Sequence, residues 1–238
     1  MKLHRFATLA ILILAALACN STQSSAALLI NEVDSDTVNT PTTDFAEFIE
    51  IYDTSGASVP LDGYVLVLFN GNGNRAYRVD DLDGLSTSAT GYFVAGAVPG
   101  AQLAIPGNTI QNGVDAVALY LGNAADFTIG TTTGTLANTT NLVDAIVYKT
   151  GPDVDGVGLD GLLGITGGVV DEFGRNGLAA SGALDSIGRF PNGSGAARDA
   201  TTWTFMTPTP GAANVVPEPS SLLLAAAAAL ATCLIRRR

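Results

Sequence analysis

Tyr64-Val65-Leu66-Val67-Leu68-Phe69 is wholly apolar or aromatic and runs directly into Asn70-Gly71-Asn72-Gly73. A run this short, bounded by turn residues, reads as a strand rather than a helix. Asn-Gly pairs supply the positive φ that tight hairpin turns need. The same pattern repeats along the chain. Strands are expected at Leu28–Val33, Phe45–Tyr52, Tyr64–Asn70, Arg75–Val79, Tyr92–Ala95, Ala116–Leu121, Leu142–Tyr148, Ile187–Phe190 and Thr202–Phe205. They are rich in Val, Ile, Phe and Tyr, which suit a pleated surface. Asp62-Gly63, Asp83-Gly84, Asn112-Gly113 and Asn192-Gly193 mark further turns. No stretch of the central segment sustains a 3.6-residue apolar period. Seven to nine short strands punctuated this way predict an all-β fold, a sandwich or barrel.

Strand 64–69 has no polar residue at alternate positions, so its outer face needs a covering loop. Phe45–Tyr52 is mixed: Glu47, Ile49 and Ile51 share one side, and Phe48, Glu50 and Tyr52 the other. Glu47 and Glu50 therefore fall on opposite faces and are poorly placed to act as an acid and base pair. Between Thr150 and Ser186 the pattern loosens into glycine and aspartate. A long surface loop is expected there, with one helical turn around Leu159–Leu163. Gly71-Asn72-Gly73-Asn74 is a hairpin turn and not a phosphate loop, because no helix pattern follows it.

The two ends of the 238-residue chain read differently. Lys2, His4 and Arg5 precede an apolar run, Phe6 to Ala18, and then small residues ending in Ser25-Ala26-Ala27. This is the three-part pattern of a secretory signal peptide, residues 1–27. Cleavage after Ala27 fits the small-x-small rule; cleavage after Ala18, or lipid modification of Cys19, are competing readings. At the other end Pro217-Glu218-Pro219 is followed by an apolar run, Leu222 to Ile235, and by Arg236-Arg237-Arg238. The run has no polar face and approaches the length of about 20 residues that spans a membrane. The arginines would stay cytoplasmic, which agrees with a signal peptide that sends the body outward. This arrangement resembles the PEP-CTERM sorting tail, residues 215–238. The resemblance implies a membrane tether before processing, recognition and cutting by an exosortase, and delivery to the cell surface or extracellular matrix.

Residues 28–214 form the body. Both cysteines, Cys19 and Cys233, and the one histidine, His4, lie in the end segments. The body therefore has no disulfide framework, thiolate metal site or histidine-dependent catalytic triad. It carries six basic residues against 21 acidic ones, a net charge of −15. Such a surface repels nucleic acid, which is excluded as a partner.

Several segments of the body match a family pattern in order and spacing. These are Leu29-Ile30-Asn31-Glu32-Val33, Phe45 to Tyr52, Leu61-Asp62-Gly63-Tyr64, Gly91-Tyr92-Phe93-Val94, Val143 to Tyr148, Ser186 to Gly193, and Thr207-Pro208-Thr209-Pro210-Gly211-Ala212-Ala213-Asn214. Together they resemble the lamin-tail domain, of the type that accompanies bacterial extracellular nucleases. The resemblance implies an immunoglobulin-like β-sandwich with scaffolding or adhesion-like roles. No nuclease domain follows, so it implies no catalysis. Glu47 and Glu50 are expected to satisfy turn amides or pair with arginine, and Arg189 to pair with one of the strand carboxylates.

The one constellation with metal-site character is Asp153-Val154-Asp155-Gly156-Val157-Gly158-Leu159-Asp160-Gly161. Asp153, Asp155 and Asp160 could present oxygen ligands to a hard cation such as calcium. The match is partial, since Val157 and Gly164 stand where an EF-hand-type loop has acidic ligands. A solvated acidic loop is the favoured reading. Asp80-Asp81-Leu82-Asp83-Gly84 is a weaker case of the same kind. The leading functional expectation is an exported, non-enzymatic surface or matrix protein. Its expected partners are the secretion machinery, an exosortase, the membrane before processing, and exopolysaccharide or matrix proteins. The alternatives are a polymer hydrolase with paired carboxylates, or a calcium-dependent adhesion module.

Overall fold

Glycine and asparagine turns cut the chain into strands of two to eight residues, and these pair mostly with their antiparallel neighbours. A computed structural model describes residues 27–36, 46–150, 158–172 and 186–215. Among these residues the strands are β1 Leu28–Asp34, β2 Phe48–Asp53, β3 Tyr64–Asn70, β4 Arg75–Asp81, β5 Tyr92–Gly96, β6 Leu103–Ala104, β7 Asp115–Leu121, β8 Leu142–Lys149, β9 Val170–Asp171, β10 Ser186–Arg189 and β11 Trp203–Met206. One α-helix, α1, spans Leu159–Leu163. All nine expected strands are present. The two additional ones, β6 and β9, have two residues each, too few to carry an alternation. Phe45 lies outside the described residues. Phe190 sits beyond the end of β10 and is exposed.

Two sheets result. One has the order β11-β10-β1-β2-β5-β6 and the other β4-β3-β7-β8-β9. All neighbours are antiparallel except β5–β6 and β8–β9. The inner faces share one core: Ile30, Val33, Ile49, Ile51 and Phe93 from the first sheet meet Leu66, Leu68, Val117, Leu119, Ile146 and Tyr148 from the second. The sheets therefore pack face to face, as strands of period two with buried faces require.

The second sheet is buried on its outer face as well. Val65, Val67 and Phe69 of β3 join Ala116, Ala118, Tyr120, Ala145 and Val147 in a second cluster. Leu159 and Leu163 of α1 cap this cluster, and Ala137 and Phe127 come from the β7–β8 connection. That is why β3 could be apolar on both faces. The helical turn lies where the sequence placed it, but its surroundings differ from an open surface loop. The described part of the segment 150–186 packs on the sheet through Leu159 and Leu163, both fully buried, and adds β9 to its edge. Burying two leucines is worth roughly 1.5–3 kcal/mol each, enough to hold a five-residue helix too short to persist alone.

Aspartate–glycine turns brace one another. The Gly63 amide donates to Asp83 Oδ1 at 2.6 Å, and the Gly84 amide donates to Asp62 Oδ1 at 2.7 Å. Among the described residues no helix is long and apolar enough to cross a membrane; residues 1–26 and 216–238, which hold most of the signal-peptide segment and of the tail, lie outside them.

Candidate functional site

The polar residues of the body converge where the chain leaves the sandwich towards residue 215. The local cause is a bulge in β1. Ile30 pairs with Ile51 and Glu32 with Glu50, so Asn31 is the extra residue between them. A bulge adds one unpaired residue and re-aims the side chains beside it. Here Ile30 and Val33 stay in the core, and Glu32 lies directly across from Glu50. Ser186, on the neighbouring strand β10, donates its hydroxyl to Glu32 Oε1.

The segment after β11 folds across these groups. Thr209-Pro210-Gly211-Ala212 forms a turn in which the Ala212 amide donates to the Thr209 carbonyl at 2.9 Å, with Gly211 at φ 78°. Proline then glycine is the residue order of a type II turn. The turn delivers its donors to the two carboxyl groups. The Thr209 amide and hydroxyl donate to Glu32 at 2.9 and 2.7 Å, and the Gly211 amide donates to Glu50 Oε2 at 2.7 Å. Asn31 Nδ2 donates to Glu50 Oε1 at 2.7 Å. Asn214 closes the clasp. Its side-chain amide donates to the carbonyls of Arg189 (2.8 Å) and Asn31 (3.2 Å), and it is 6% exposed. Gly188 lies beneath it. A Cβ there would sit 2.7 Å from Asn214 Nδ2 and 2.8 Å from Met206 Sδ.

Glu32 and Glu50 are both fully buried. Burial raises Glu50 to about 8, the facing Glu32 adds to the rise, and the bonds from Asn31 and Gly211 pull against it. Burial likewise raises Glu32, opposed by its bonds from Ser186 and Thr209. Two carboxylates placed directly opposite across a strand pair repel, which favours a proton held by the pair; Glu32 accepts from three donor groups and Glu50 from two.

A second polar centre joins the sheets. Arg189, fully buried, donates from all three of its side-chain nitrogens. Nε donates to the Ile30 carbonyl at 2.8 Å, and Nη1 donates to the carbonyls of Ser194 and Ala196 at 2.8 and 3.0 Å. Nη2 donates to both oxygens of Asp144 at 3.2 and 3.0 Å. Asp144 also accepts from the amides of Ile30, Ala145 and Arg198. The guanidinium lies 5.5 Å from the centre of the Trp203 ring. The expected pairing of Arg189 with a strand carboxylate is met by Asp144 on β8, not by Glu47 or Glu50. Glu47 instead accepts from the amides of Thr109 and Ile110, and Glu50 from that of Gly211, which fits their expected work on turn amides.

The remaining sequence candidates fall apart spatially. Asp80 is held by Arg78 at 2.6 and 2.7 Å, and Asp83 by Gly63. Asp160 lies in the first turn of α1, where its backbone carbonyl accepts from the Ile165 amide at 2.8 Å. Asp153 and Asp155 lie outside the described residues, as do Pro217, Glu218, Pro219, Arg236, Arg237 and Arg238. Among the described residues no group of three potential metal ligands comes together. Sequence reading missed the Glu32–Glu50 pair because the bulge at Asn31 shifts the register between them; the signal present was the polar pair Asn31-Glu32 between apolar Leu28–Ile30 and Val33.

The family model of the PEP-CTERM protein-sorting motif matches residues 215–238. The motif therefore begins at the residue after Asn214, directly behind the clasp. It marks the chain for export and sorting to the cell surface by the exosortase pathway. No curated protein and no solved structure matches the chain.

Proposed function

We propose that the chain is a non-enzymatic cell-surface or extracellular-matrix protein whose folded body, residues 28–214, is an immunoglobulin-like sandwich of the lamin-tail kind. In this reading residues 1–27 are the signal peptide, the tail tethers the precursor to the membrane, and the body acts as an adhesion or binding module for exopolysaccharide. The observation that carries it is the sorting motif at 215–238, placed against a body with two packed sheets. The fate of the acidic groups supports the absence of catalysis. The facing carboxyl pair Glu32 and Glu50 lies beneath the clasp with its oxygens taken by named donors. A glycosidase-type pair needs an open site between its carboxyl groups.

The test is surface fractionation in a host that carries an exosortase, with the full chain and with residues 215–238 deleted, followed by retention of each on the host's own exopolysaccharide. The reading expects the full chain at the surface and bound to polysaccharide, and the shortened chain in the culture fluid. Equal surface amounts for both would refute the role of the tail. Surface delivery without polysaccharide retention would refute the binding role alone.

A further inference from the structure

We propose that Asn72, in the loop of the β3–β4 hairpin, is a site of spontaneous deamidation, and that the fold shields the Asn-Gly pairs at 70 and 192 from the same reaction. The chain has five such pairs, beginning at Asn70, Asn72, Asn112, Asn176 and Asn192; Asn176 lies outside the described residues. The reaction needs only water. The backbone nitrogen after the asparagine gives its proton to hydroxide and attacks the side-chain carbonyl carbon. A C–N bond forms, the bond from that carbon to Nδ2 breaks, and Nδ2 leaves as ammonia. One water then opens the five-membered imide at either carbonyl. The product is aspartate, or its isomer in which the main chain runs through the side-chain carbon. A glycine after the asparagine lets the nitrogen approach, because it has no Cβ and wide backbone freedom. Two conditions remain: a reachable, unbonded amide nitrogen and a carboxamide free to turn.

The structure meets both at Asn72. Asn72 and Gly73 are exposed. Among the described residues the Gly73 amide has no acceptor and the Asn72 carboxamide has no partner. Asn70 meets neither condition. The Gly71 amide is buried and donates to Asp115 Oδ1 at 2.8 Å. The Asn70 side chain donates to Gln111 and accepts from the Asn72 amide at 2.6 Å. Asn192 is held in the same way. The Gly193 amide donates to Asn31 Oδ1 at 2.9 Å. The Asn192 side chain accepts from Asn31 Nδ2 at 2.8 Å and donates to the Tyr92 hydroxyl at 3.2 Å. Asn112 is an intermediate case: it is exposed, but Gly113 is buried, and a Cβ on Gly113 would sit 3.3 Å from Asp115 Oδ2. A carboxylate so close opposes the negative charge that the attacking nitrogen must acquire. Residues 71–74 belong to neither core cluster. The new charge, or the extra main-chain atom, therefore leaves the two sheets in place, and the change accumulates with the age of the protein.

The test is incubation of the purified full chain at neutral pH, folded and in urea, with tandem mass spectrometry to place the mass gain of each amide-to-acid change. In the folded chain Asn72 is expected to convert at least about tenfold faster than Asn70 and Asn192, since freeing a shielded amide breaks at least one hydrogen bond and ~1.4 kcal/mol is a factor of ten. In urea the three are expected to convert at similar rates. Asn72→Gln should remove the gain at the hairpin, because ring closure from the longer side chain is slower, and should leave the rates at Asn70 and Asn192 unchanged. An unchanged Asn72 in the folded chain, or one that converts no faster than Asn70 and Asn192, would overturn the assignment. A preference for Asn72 that persists in urea would overturn the shielding, since it would then lie in the local sequence and not in the fold.

Discussion

Glu50→Gln should make the protein more stable in mild alkali. A carboxyl group raised in the folded state contributes stability that is complete below its unfolded value and is lost as pH climbs through the folded value. For Glu50 the window runs from 4.5 to about 8. At 1.36 kcal/mol for each tenfold change in proton affinity, the loss across it is about 5 kcal/mol. That is a large part of the 5–15 kcal/mol typical of a domain. Glutamine cannot ionise, but its amide nitrogen replaces an oxygen that accepts from Asn31 or Gly211, which costs about 1–3 kcal/mol at every pH. Urea unfolding at pH 5, 7 and 9 is the assay. At pH 5 the variant should be the less stable of the two by about 1–3 kcal/mol, the cost of the lost acceptor. At pH 9 it should be the more stable of the two by several kcal/mol (about 5 at most). A residual fall with pH should persist in the variant, because burial raises Glu32 and, more strongly, Glu172 in the same direction. Parallel pH profiles for the two proteins would refute the claim that Glu50 is buried as an acid under the clasp.

Other outcomes follow from the same structure. Arg189→Ala strands the buried Asp144 carboxylate and should lower stability by about 3–5 kcal/mol in chemical unfolding; an unchanged unfolding midpoint would remove the ion pair from the account. Gly188→Ala places a methyl group 2.7 Å from Asn214 Nδ2. It should cost about 1–3 kcal/mol and make the segment 207–214 cleavable by a soluble protease that spares the wild type. Leu163→Ala opens a cavity under α1 and should cost about 2–5 kcal/mol by urea unfolding, whereas a solvated loop at this position would register no change. Calorimetric titration with calcium should give no heat, because the acidic segment 153–161 is read as a solvated loop; heat that Asp153→Asn/Asp155→Asn abolishes would overturn that reading.

Much of the fold was legible because its signals are local. The apolar run at 64–69 and the Asn-Gly pairs after it fixed β3 and its hairpin, and Leu159–Leu163 stood out as the one helical turn. What escaped were features set by partners distant in sequence. β9 exists only because β8 offers an open edge to Val170 and Asp171. The burial of Glu32 opposite Glu50 depends on a one-residue bulge, and alternation counting assumes that no bulge is present. Arg189 could be assigned a carboxylate partner from chemistry alone. Choosing Asp144 required knowing that β8 and β10 lie on facing sheets. The sorting tail was readable without any fold, because an address depends on composition and order rather than on packing.

The most direct test of the account is mass mapping of both ends of the protein recovered from the surface fraction of its own cells. The account predicts a chain that has lost its N-terminal apolar segment and that ends within residues 215–238. A full-length chain in the cytosol, with Arg236-Arg237-Arg238 still attached, would contradict it.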